Sequence, residues 1–168
     1  EKYNNVEHIM FDSIPYDGIL DANWDSFGVR AIPKYNFEKA NVIVSFGADF
    51  LGNWGSNNYA TNYINGRNPK SGKMSKHYQL ESNLSLTGSN ADKRIQIKPS
   101  EQAYLLSNLY NGLNGSKVDK RLKEIVQKLK NNYNKSIVIC DSNDKNSQLI
   151  VNAINNKLNS YNHTINIS

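Results

Sequence analysis

Two carboxylates stand where an α/β fold would use them. Asp49 follows Gly47 in the stretch Asn41-Val-Ile-Val-Ser-Phe-Gly-Ala-Asp-Phe-Leu-Gly-Asn-Trp54, just after the β-branched run Val42-Ile43-Val44. Glu81 closes a second run that begins at His77. A carboxylate at the end of a buried strand can accept donors from a ligand, move a proton, or cap a nearby backbone amide. Asp49 therefore reads either as a site residue or as a loop residue capping a neighbour, and Glu81 as a ligand-reading group, a satisfied strand-end carboxylate or an interface contact. Gly47, Gly52 and Gly55 lack the G-x-G-x-x-G spacing, and no Gly-Lys-Ser/Thr follows them, so the loop by itself names no ligand. His8, His77 and His163 lie far apart in unrelated contexts, and no Ser/His/Asp or Cys/His spacing suggests a nucleophile. Cys140 is the single cysteine, which excludes an internal disulfide and a cysteine-rich zinc or iron–sulfur site within the chain; after Ile137-Val-Ile139 it reads as a small buried apolar residue.

The elements that must hold these residues alternate between strand and helix. The run 42–46 reads as a central parallel strand covered on both faces, and 136–140 as a second. Val6–Phe11 and Val29–Ile32 read as short strands, 77–81 as another, and Arg94-Ile-Gln-Ile-Lys98 alternates as a half-exposed edge strand does. Helices are expected over 16–27, with Ile19, Leu20, Trp24 and Phe27 on one side and Gly28 as the stop, and around 59–64. Ser100 is the expected cap of a helix bearing Ala103, Leu106, Tyr110 and Leu113 and ended by Gly115. Ser116 and Asp119 resemble a capping box before Val118, Leu122, Ile125 and Leu129, and a last helix carries Leu149, Ile150, Ala153, Ile154 and Leu158. Residues 164–167 read as a last strand or a trailing end. The pattern predicts an α/β fold: a doubly wound, mainly parallel Rossmann-like sheet with helices on both faces, in which ligands sit outside the strand carboxyl ends. Trp54, just before the long irregular stretch 55–76, and Tyr59 within it would anchor a partner or pack the loop onto the domain.

The 168 residues suit a single α/β domain spanning 1–168, and 38% hydrophobic residues in periodic segments suit an ordered one. A net charge of +5 comes from scattered lysines, mildly clustered at 117–135 as the wet face of a helix; basic residues are not interleaved with aromatics as in nucleic-acid modules, so no nucleic-acid partner is expected. No apolar run is long enough to cross a bilayer, and no direct membrane insertion is expected. Beginning with Glu1, not Met, at what reads as the start of a strand, the chain reads as a domain excised from a larger protein. Asparagine is abundant throughout without an evident function.

Three phrases taken together carry a resemblance. Ala40-Asn-Val-Ile-Val-Ser-Phe-Gly-Ala-Asp-Phe-Leu-Gly-Asn-Trp54, Tyr78-Gln-Leu-Glu-Ser-Asn-Leu-Ser-Leu-Thr-Gly-Ser-Asn-Ala-Asp92 and Ile95-Gln-Ile-Lys-Pro-Ser-Glu101 resemble the large subunit of the molybdopterin oxidoreductase (DMSO reductase) superfamily, most closely the iron–sulfur and molybdopterin-oxidoreductase-like subunit of bacterial alternative complex III. In that family the corresponding loop and strand end hold the guanosine part of a molybdopterin guanine dinucleotide. The resemblance implies Gly47, Ala48 and Asp49 as the first loop and Glu81 as the guanine-reading carboxylate. Active members commonly carry Asp-Pro-Arg and a hydroxyl residue where this chain has Glu81-Ser-Asn83. The phosphate-binding arginine is gone, and Asn83 is a poor substitute for its bidentate fork. The implied function is a non-catalytic scaffold domain of a respiratory quinol:cytochrome c oxidoreductase, without the molybdenum cofactor and with iron–sulfur clusters elsewhere in the parent. Its implied partners are other domains of that parent and other subunits of a membrane-bound redox complex, on the periplasmic face of a bacterial inner membrane. The alternatives are the cofactor-binding domain of an active molybdenum or tungsten enzyme, and a stand-alone small-ligand or nucleotide-binding module.

Overall fold

A computed structural model describes residues 6, 7, 9 and 15–167. Its centre is a parallel sheet of β2 (Val42–Phe46), β3 (Lys76–Glu81), β4 (Lys93–Gln96) and β5 (Ser136–Cys140), in the order β4-β3-β2-β5. β2 pairs in register with both neighbours, Val44 opposite Tyr78 on one side and Val138 on the other. Every residue of β2 and of β5 is buried, which is why both read as unbroken apolar runs. β4 is the half-exposed edge, as its alternation predicts.

Side chains alternate across the sheet and feed two cores. Val42, Val44, Phe46, Val138 and Cys140 face α4 (Gln102–Leu113), α5 (Lys123–Lys130) and α6 (Lys145–Lys157), through Leu105, Leu106, Leu109, Leu122, Ile125, Leu129 and Ile154. Ile43, Ile137 and Ile139 face an aromatic layer of Tyr35, Phe37, Phe50, Trp54, Tyr59 and Tyr63, the last two from α2 (Asn58–Asn65). Phe37 stacks on Phe50 with ring centres 4.4 Å apart. The doubly wound parallel architecture predicted from the sequence is the one observed.

Several local expectations change. α1 spans Asp17–Phe27 and Gly28 closes it in the left-handed region at φ 70°, but Trp24 is 59% exposed and Phe27 is partly exposed. The buried positions are Gly18, Ile19, Ala22 and Asn23, because α1 packs along α6 through small and polar residues: Asn152 Nδ2 donates to Asn23 Oδ1 at 2.9 Å. The short strand lies at Lys34–Tyr35 (β1) rather than 29–32, and it pairs antiparallel with Ile165–Asn166 (β6), apart from the main sheet. Ser100 is not the cap; a 3₁₀ turn at Pro99–Glu101 leads into α4, and Glu101 Oε2 accepts the Lys98 N–H at 2.9 Å. Asp119 does not cap α5. Its carboxylate accepts Arg121 N–H groups, and the helix starts at Lys123. The expected strand 6–11 falls largely outside the described residues.

Candidate functional site

β2, β3 and β4 run outward on one side of the sheet, and the chain then returns to place β5 on the other side of β2. This is a topological switch point, where the loops after β2 and β5 diverge and leave a crevice. A crevice of about 230 Å³ opens there, lined by Gly47, Glu81, Ser82, Asn83, Gln102 and Asp141 among others. Gly47 sits at φ +73°, and a Cβ on it would lie 2.4 Å from both Asp141 carboxylate oxygens. The glycine is therefore required twice, by its backbone conformation and by the carboxylate beside it.

Asp141 is placed by β5 and held by α4. Its backbone N–H donates to Phe46 O at 3.0 Å, and Gln102 Nε2 bridges Phe46 O (3.1 Å) and Asp141 Oδ1 (2.7 Å). The protein packed around the carboxylate raises its pKa, an effect the Gln102 bond opposes. Because Asp141 remains exposed to solvent, that shift is screened. Its Oδ2 accepts no hydrogen bond from the described residues.

Glu81 lines the same crevice but is consumed by the fold. Oε1 accepts Ser85 N–H at 3.2 Å and Arg94 Nε at 2.6 Å. Oε2 accepts Ser85 Oγ at 2.6 Å and Gln79 Nε2 at 3.1 Å. Burial alone would raise its pKa, but the bonds from Ser85, Arg94 and Gln79 outweigh that and hold it below the usual carboxylate range. Gly88 lets the carboxylate tuck under α3 (Leu86–Ser89), since a Cβ there would meet Glu81 Oε1 at 1.9 Å. Arg94 thus pairs with Glu81, while Asp92 pairs with Arg67 at 2.7 Å.

The structure brings Gly47 and Glu81 to one crevice but turns Asp49 away from it. Asp49 Oδ1 accepts both Thr87 N–H (2.9 Å) and Thr87 Oγ1 (2.7 Å), tying the β2 loop to α3. Ala48 is fully buried, and its carbonyl accepts Ser45 Oγ at 3.0 Å. Trp54 and Tyr59 are buried and pack the loop onto the aromatic layer. Cys140 is buried, which pushes its thiol up to about 12 and leaves it unreactive. Among the described residues no cluster of three or more His, Cys, Asp or Glu could hold a metal ion.

Asp141 and Gln102 escaped the sequence reading. The signal for Asp141 was there: Ser136–Cys140 reads as a central strand, so the residue after it occupies a strand end as Gly47 does. Gln102 carried none, because only the tertiary fold brings the start of α4 to the end of β2.

The lining does not fit the guanosine diphosphate group that the family resemblance would place here. Its two carboxylates disfavour phosphate, the Arg94 guanidinium is salt-bridged to Glu81, and the four hydrogen bonds to Glu81 leave it no open acceptor position with which to read a base edge.

No family model matches the chain. No curated protein matches it either. Among solved structures it is similar to a chain of the formyltransferase/hydrolase complex (FhcABCD) from Methylorubrum extorquens in complex with methylofuran, with a TM-score of 0.59 and 11% identity. The match covers 86% of this chain and 41% of that one. At that identity the likeness shows the fold. It also corrects the family resemblance: the structural likeness is to a chain of a formyltransferase/hydrolase complex, and no sequence match supports molybdopterin oxidoreductases. The scaffold role in alternative complex III and electron transport falls with it, and neither alternative gains support. The physical reason lies in the phrases themselves. Ser45-Phe-Gly-Ala-Asp49, the end of β2 and its loop, bonds to Ser85-Leu-Thr-Gly88 at the start of α3, which in turn bonds to Glu81, so local packing demands account for their residues. The chain shares a doubly wound α/β fold with a chain of that complex and spans under half of its length.

Proposed function

We propose that the switch-point crevice binds a small polar ligand through a donor-bearing group, cationic or uncharged, and that the domain does so as part of a multi-subunit assembly. The observation that carries the binding role is the Asp141 carboxylate, fixed against Gly47 and Gln102 with Oδ2 facing no donor of the described residues. A carboxylate without a cation beside it favours amines, guanidines and hydroxyls over phosphates. The side-chain amide of Asn83, which makes no hydrogen bond among those of the described residues, adds a donor and an acceptor at the same crevice. The assembly is supported by the similar solved chain, which belongs to a complex. Among the described residues no helix is long and apolar enough to cross a membrane.

The test is an NMR titration of the chain with methylguanidine, ethanolamine and inorganic phosphate. Methylguanidine and ethanolamine should move the amides of Gly47, Asn83, Gln102 and Asp141 with millimolar affinity, and Asp141→Asn should abolish the methylguanidine response. Phosphate binding in place of the two donors would overturn the reading.

A further inference from the structure

The crevice floor is one end of a buried polar chain. From Glu81 it runs along one face of β3 through Gln79 and His77 to Tyr63 on α2 and the carbonyl of Asn90. Gln79 Nε2 donates to Glu81 Oε2 (3.1 Å), Gln79 Oε1 lies 3.3 Å from His77 Nε2, His77 Nδ1 lies 3.0 Å from Tyr63 Oη, and Tyr63 Oη lies 3.0 Å from Asn90 O. His77 and Gln79 are both fully buried.

Counting hydrogens along this chain leaves a deficit. Glu81 fixes the Gln79 amide, because reversing it would set two oxygens against each other, so Gln79 presents its oxygen to the ring. Between that oxygen and the Asn90 carbonyl, both acceptors, lie three contacts that need three hydrogens. Neutral Tyr63 and neutral His77 supply one each. An imidazolium supplies the third, with both ring N–H groups aimed at acceptors already in place.

We infer that Tyr63, His77, Gln79 and Glu81 form an acid-responsive chain, one proton short at neutral pH, which is completed by protonation of His77 with the Glu81 carboxylate as its counter-charge through Gln79. The other groups around the ring are consistent with a single uptake. Arg67 opposes a charge on the ring, Asp92 favours it while accepting the His77 backbone N–H at 2.7 Å, and Arg94 from β4 is bound to Glu81. The loop after β2 contributes the uncharged ring of Phe50, and the β2 residue in register is Ile43. Burial is the largest influence and lowers the ring's pKa to about 4, so the chain fills only under acid conditions.

The experiment is a pH titration of the imidazole nitrogens by ¹⁵N NMR, with backbone amides followed in the same samples to define the folded range. In the wild-type protein the second His77 ring nitrogen should become N–H in one step while the fold persists, leaving both protonated. Glu81→Gln should lower that midpoint by about one pH unit by removing the counter-charge. Tyr63→Phe should also lower it, because the Nδ1 hydrogen then has no acceptor; this variant keeps the test open should Glu81→Gln not fold. A ring that stays singly protonated throughout the folded range, a carboxyl ¹³C shift showing the proton on Glu81 instead, or midpoints unmoved in the folded variants would overturn the inference.

Discussion

At the scale of single residues, the molecule spends its carboxylates differently from one another. Glu81 and Asp49 stabilise loops, while Asp141 keeps acceptor capacity at the crevice. Gly47 marks the boundary between these roles. Gly47→Ala places a Cβ against the Asp141 carboxylate in a left-handed backbone; it should cost about 1–3 kcal/mol in urea unfolding and weaken methylguanidine binding. His77 gives a pH dependence of stability. Its folded pKa, about 4, lies below its ordinary 6.5, so the unfolded chain binds more protons between those values. Stability should therefore be full above about pH 6.5 and fall as pH drops toward 4, by about 3 kcal/mol from this group. Glu81 and Asp92, both held low, lose stability in the same direction at lower pH. Urea unfolding at a series of pH values checks this, and His77→Gln should flatten the slope above about pH 5.5, where few carboxylates yet titrate.

At the scale of elements, the asparagines acquire a role that the sequence alone did not reveal. β5 pairs with β2 on one side only, leaving a free strand edge. Asn155 of α6 covers it as a surrogate strand, accepting Val138 N–H at 3.0 Å and donating to Val138 O at 2.7 Å. Ser160 and Thr164 hydroxyls donate to Ser136 O at 2.8 and 2.7 Å, and Gln148 Nε2 donates to Cys140 O at 3.0 Å. The edge is closed by side chains. Asn155→Leu strands a buried donor and acceptor, so it should cost roughly 2–4 kcal/mol and speed hydrogen exchange at Val138. Normal exchange at Val138 in that variant would show the edge to be protected by other means.

At the scale of the whole molecule, the two cores share β2, whose alternate residues enter each of them. Damage on one face should therefore be felt on the other. Phe50→Ala removes the ring stacked on Phe37 and should cost about 3–5 kcal/mol. Trp54 fluorescence, which reports the aromatic layer when read in a Trp24→Phe background, and far-UV circular dichroism, dominated by the helices of the opposite face, should still unfold together. Separate transitions would show that the layers fold independently.

The sequence by itself determined the α/β class, both central strands, most helices and the edge strand, because burial on both faces or on one leaves a periodicity that needs no partner to be read. It also located the loop after β2 as a strand end. It did not show that Asp49 turns toward Thr87, that Arg94 reaches Glu81, or that Asp141 meets Gln102, since these pairs are 38, 13 and 39 residues apart. Nor did it separate a family signature from loop residues that fit one another. Tertiary structure decided those points for a physical reason: a polar side chain's role is set by the partners that reach it, and the packing of the elements chose them.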